Sequence, residues 1–86
     1  MPELSRFYGI TIRMFFDDHR PPHFHAYYVG EQAIFQITTL SIIAGSLPPR
    51  ALGLVIEWAS LHRDELMDAW DKAERLEPLP RIPPLP

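Results

Sequence analysis

The sequence predicts an α+β fold: an antiparallel meander of three or four strands, packed by one long C-terminal helix and finished by a proline-rich strap. Three observations predict it. Apolar residues alternate over 8–17, with Ile10, Ile12, Met14 and Phe16 on one side and Thr11, Arg13, Phe15 and Asp17 on the other, the period of a half-buried strand. From about 50 to 75 the apolar residues recur instead at helical spacing. The last nine residues, PLPRIPPLP, hold five prolines, which excludes helix and central strand.

The elements follow in order. After the strand over 8–17, DHRPP at 18–22 is the turn, because its two prolines cannot sit in a central ladder. HFHAYYV at 23–29 is the second strand, GEQ a short turn, and AIFQI at 33–37 the third strand. Tight turns between three such runs predict a meander, and 41–44 supplies a short fourth strand. Pro48 and Pro49 open the helix, where a missing N–H costs little. Leu52, Val55, Ile56, Ala59, Leu66, Ala69, Trp70 and Ala73 form its buried face, and Gly53 is a weak point of about 1 kcal/mol. Trp58 is also assigned to the core. Laying this helix across the sheet buries both apolar faces. Leu79, Ile82 and Leu85 then share one edge of a polyproline II segment, which expects that segment to dock.

The chain has 86 residues and no cysteine, so it is read as one domain, 1–77, with a tail, 78–86. Disulfides and thiolate metal sites are excluded. The N-terminal stretch MPELSRFYGI lacks the basic and apolar segments of a signal peptide, and no apolar run approaches ~18 residues. The expectation is a soluble cytoplasmic domain with no membrane contact. Net charge is −3, and residues 51–86 carry seven acids against four bases, so a broad basic footprint for nucleic acid is missing.

The chemistry concentrates in DDHRPPHFHAYY at 17–28, which holds three of the four histidines. Strand alternation puts His23, His25 and Tyr27 on one face and Phe24, Ala26 and Tyr28 on the other. The polar face gathers Arg13 and Asp17 from the neighbouring strand, with His19 and Arg20 in the loop above. Three readings fit. His23 and His25 form an H-x-H chelate for a divalent metal, with His19 or Asp17 as third ligand. Alternatively, His23 or His25 is the base of a metal-free phosphodiesterase, with Arg13 or Arg20 on phosphate and Tyr27 assisting. The third reading is a hydrogen-bonded recognition surface. His62 falls on the apolar side of the helix and is read as a core histidine.

With those residues in view the chain resembles a small bacterial family, the domain of unknown function numbered four thousand one hundred and sixty. The matching stretches are SRFYGI and DHRPPHFHA in the first third, and LPPRALGLVIEWASLHRDEL in the helix. The resemblance implies Ser5, Arg6, Asp18, His19, Pro21, Pro22, His23 and His25 as the family signature. It also implies a two-gene module of toxin–antitoxin type. The expected function is therefore a partner-binding component whose partner is the product of the neighbouring small gene. The alternatives are a small ribonuclease or phosphodiesterase, and a metal-binding domain through the H-x-H strand. Whether the chain is an enzyme stays open, and no cofactor is expected beyond the divalent metal of the last reading. An exposed edge strand allows a homodimer.

Overall fold

In the computed structural model, which describes residues 2–86, alternation builds a larger sheet than three or four strands. Strands β1 (Glu3–Phe7), β2 (Ile10–Arg13), β3 (His23–Tyr28), β4 (Glu31–Gln36) and β5 (Ile42–Gly45) pair antiparallel in that order. Helices α1 (Pro49–Leu61) and α2 (Arg63–Glu74) follow. The added strand is β1. Leu4 and Ser5 are both buried and the β1–β2 register shifts between Glu3 and Ser5, so the two-residue period is broken there. Tyr8 and Gly9, both at positive φ, make the hairpin turn that joins β1 to β2.

Strand β2 is shorter than the alternation over 8–17 implies. Ile10, Ile12 and Met14 are fully buried, but Phe16 is 42% exposed. The backbone turns to positive φ at Asp17, so strand parity no longer applies there.

The helix is two helices rather than one, and the break is at His62, not at Gly53. His62 takes a non-helical φ of −123° and ψ of 26°. Arg63, Asp64 and Glu65 open a new helix, whose acidic first turn suits its N-terminal dipole. Both helices contribute to one core. Trp58 of α1 is fully buried between Phe7, at 5.3 Å, and Phe24, at 6.0 Å between ring centroids. Phe24 in turn stacks on Phe35 of β4. Phe24, Ala26, Ala33 and Phe35 therefore face the helices, and His25, Tyr27 and Ile34 lie on the other face of the sheet, as alternation requires. No helix among the described residues is long and apolar enough to cross a membrane.

The proline-rich tail docks on its own domain. Ile82 and Leu85 are buried and Leu79 packs against the core. The Ile82 amide donates to the Leu4 carbonyl at 2.8 Å, and Trp58 Nε1 donates to the Pro83 carbonyl at 2.8 Å. Arg81 reaches the Glu3 carboxylate at 2.9 Å. The strap thus covers the outer edge of β1, while all four residues of β5 are exposed.

Gly45 holds β5 in place. Its φ is +78°, and a Cβ there would lie 2.2 Å from the Gln32 carbonyl oxygen. Gly45→Ala is therefore expected to cost at least about 2 kcal/mol, lowering the thermal midpoint by roughly 8–16 °C. An unchanged midpoint in calorimetry would contradict this.

Candidate metal centre

The loop between β2 and β3 aims one carboxylate at two histidines. The Asp17 amide donates to the Ala73 carbonyl at the end of α2, at 3.2 Å, which pins the loop to the helix. The next residue, Asp18, then turns inward. Its Oδ1 accepts the His19 amide at 2.8 Å, and its Oδ2 lies 3.0 Å from His23 Nε2 and 3.7 Å from His25 Nε2. One ligand atom from each of Asp18, His23 and His25 lies within 4.8 Å of the other two. Ligand atoms of a tetrahedral zinc with bonds of ~2.1 Å are about 3.4 Å apart, so the cluster has the scale of a coordination sphere.

The tautomer of His23 sharpens this. Its Nδ1 sits 2.7 Å from the Pro21 carbonyl oxygen. A carbonyl only accepts, so Nδ1 carries the proton; the assignment comes from hydrogen-bond geometry. In the neutral ring Nε2 then presents a lone pair to the Asp18 carboxylate. A cation between them, either a proton or a metal ion, makes that contact favourable. A backbone carbonyl on the far ring nitrogen is also the usual way a metal-bound histidine is oriented. The His23 ring is held from behind by Trp70, with centroids 5.1 Å apart. Trp70 belongs to α2, which the break at His62 separates from α1.

His25 is nearly enclosed, with 12% of its side chain exposed. Neither ring nitrogen has a hydrogen-bond partner among the described residues. Phe15 packs edge-on against the ring at 4.5 Å, and Tyr27 stacks on it at 6.4 Å. Burial, reinforced by the charge of His23, lowers the His25 pKa against the opposing pull of Asp18. Burial alone would raise the Asp18 pKa. The His19 amide, the His23 hydrogen bond and the charges of both histidines outweigh it and hold that carboxyl below its ordinary value. Both shifts favour the ligating forms, a neutral imidazole and a carboxylate.

The other candidate residues are placed as follows. Asp17 is exposed and outside the cluster; the acid facing the histidines is Asp18. His19 is exposed at the rim. Arg20, also at the rim, pairs with Glu74 of α2 at 2.9 Å. Arg13 stands opposite His25 in the β2–β3 ladder, with its guanidinium over the Tyr27 ring at 5.8 Å. His62 packs on Trp58 and pairs with Glu65, apart from the cluster. Of the remaining signature residues, Ser5 is buried in β1, Arg6 pairs with Glu3, and the Pro22 carbonyl accepts the Ile37 amide.

The cluster opens into a groove of about 280 Å³, lined besides by His19, Arg20, Pro21, Ile34 and Ile43. A second hollow, of about 370 Å³, lies over Thr11, Tyr27 and Gln32. It contains no grouping of three metal-ligating side chains among the described residues.

Residues 9–71 match the family described as Domain of unknown function (DUF4160). The chain belongs to this family. The DUF4160 match takes in the whole cluster and most of α2, while β1 and the strap lie outside it. No curated protein and no solved structure matches the chain.

The two shifts predict that this DUF4160 protein loses stability in acid. A depressed His25 pKa means that the unfolded chain binds a proton more readily than the folded one, so stability is full above pH ~6.5 and falls as pH drops below that value. Asp18 adds a second loss below pH ~4 as its carboxylate is protonated. Thermal midpoints measured without metal are expected to fall from pH 7 to 5, and His25→Gln is expected to flatten that fall. An unchanged slope in the variant would contradict the assignment.

Proposed function

We propose that the protein is a mononuclear divalent-metal-binding domain in which Asp18, His23 and His25 hold the ion and leave further positions open. The supporting observation is the convergence of three ligand atoms: His23, oriented through Nδ1 by the Pro21 carbonyl, brings Nε2 to 3.0 Å from Asp18 Oδ2, and His25 Nε2 lies 3.7 Å from the same oxygen. Two imidazoles and one carboxylate form a ligand set that catalytic zinc sites use, with the open position taken by water or substrate. An ion held there would supply a Lewis acid and a bound water of lowered pKa, which is the chemistry metal-assisted hydrolysis requires.

The geometry gives less support to a metal-free phosphodiesterase. Arg13 lies over Tyr27, and the one arginine on the groove, Arg20, is engaged by Glu74. A role in binding a protein partner, as in a two-gene toxin–antitoxin-like module, has a separate observation in its favour. The β5 edge is exposed along its length, and residues 32–49 carry no charged side chain, so an extended segment of a partner can pair there.

The metal reading is tested by elemental analysis of protein produced without a histidine tag and dialysed against zinc. One equivalent per chain is expected. Retention of no metal, or equal retention by His25→Ala, would overturn it.

A further inference from the structure

We infer that the groove beside Asp18, His23 and His25 takes a small anionic ligand with a short aliphatic chain, a simple carboxylic acid or the acyl part of its derivative. The inference rests on the metal reading above and adds the class of ligand.

The groove lining is of two unlike kinds. The three ligating groups would bind an ion of charge +2, and Asp18 is the only anion among the lining residues, so the loaded site is cationic and attracts an anionic head group. The apolar part of the lining is Ile34, directly across the β3–β4 ladder from His25, together with Ile43 and Pro21.

This apolar part is built by an irregularity in the sheet. Ile34 and Phe35 are consecutive in β4, yet their partners in β5 are Ala44 and Ile42. Ile43 is the extra residue of a bulge, and a bulge re-aims the side chain it carries. Here Ile43 lines the groove while still 46% exposed, so its side chain is accessible to a ligand in the groove.

Size limits the ligand. A water takes about 30 Å³ of liquid volume, so about 280 Å³ holds roughly nine water-sized groups. That suits a two-oxygen head and a chain of a few carbons, and it is small for a nucleotide or a drug-sized molecule.

Alkyl hydroxamates test this, because they bind zinc through a carboxylate-like head and their chain length can be varied. Zinc content is measured first, and binding to the zinc-loaded protein is then titrated from acetohydroxamate to hexanohydroxamate. Affinity is expected to rise about fourfold per methylene until the groove is full. Ile43→Ser is expected to flatten that dependence while acetohydroxamate binding and zinc content stay unchanged. Ile43→Val is expected to keep it. Zinc-loaded protein that binds no hydroxamate, or all of them equally, would overturn the inference and leave the metal site standing. An unchanged slope in Ile43→Ser would also overturn it. Protein that takes up no zinc overturns both.

Discussion

Asp18→Asn is expected to abolish tight zinc binding while leaving the fold intact. The carboxylate supplies the only negative charge in the cluster, and its Oδ2 lies 3.0 Å from His23 Nε2 and 3.7 Å from His25 Nε2. A carboxamide keeps the shape but ligates weakly. Its N–H can instead donate to the Nε2 lone pair of His23, which satisfies the site without an ion. Altering partners one shell out from a metal costs about 10–100-fold in affinity, so loss of a direct ligand is expected to exceed that range. The pH dependence should change with it, because the low Asp18 pKa comes from the His19 amide and the two histidines acting against burial. Titration calorimetry with zinc, together with melting curves at pH 7 and pH 3.5, checks both. Zinc affinity within a few-fold of the parent would remove Asp18 from the site.

The largest expected loss of stability comes from Trp58→Ala. Trp58 is fully buried, packs on Phe7 and Phe24, and donates from Nε1 to the Pro83 carbonyl at 2.8 Å. It therefore joins the sheet, α1 and the strap. Truncating a buried tryptophan to alanine costs about 3–5 kcal/mol, against a total of about 5–15 kcal/mol for a domain. The midpoint should drop by more than about 12 °C, or the protein should fail to fold at 37 °C. Trp58→Phe keeps much of the packing and removes the donor, so it should cost about 1–2 kcal/mol and expose the tail to limited proteolysis first. A midpoint within a few degrees of the parent for Trp58→Ala would contradict the packing described.

The periodic parts of the fold were legible in the sequence, and the non-periodic parts were not. β3 falls where alternation puts it, and His23–Tyr28 presents Phe24 and Ala26 to the core and His25 and Tyr27 to the other face. The three-residue spacing of Leu79, Ile82 and Leu85 likewise matches the docked strap. Alternation fails at β1 because a register shift leaves both Leu4 and Ser5 buried. It fails again after Met14, where the strand gives way to a loop turned at Asp17.

That loop is also why strand parity selects Asp17 where the structure places Asp18. A carboxylate's reach from a loop depends on backbone reversals, which leave no repeat to read. The pairing of Trp70 with His23 was equally hidden, and so was the helix break at His62. Nothing in the apolar spacing between 50 and 75 marks that break.

The central claim is that two imidazoles and one carboxylate of a single hairpin bind one ion. X-ray absorption spectroscopy of the zinc-loaded protein tests it most directly. The expected result is one zinc per chain with two imidazole nitrogens and oxygen ligands at ~2.0–2.2 Å, and one imidazole fewer in His25→Ala. A zinc sphere of oxygen alone, or an imidazole count unchanged by His25→Ala, would contradict it.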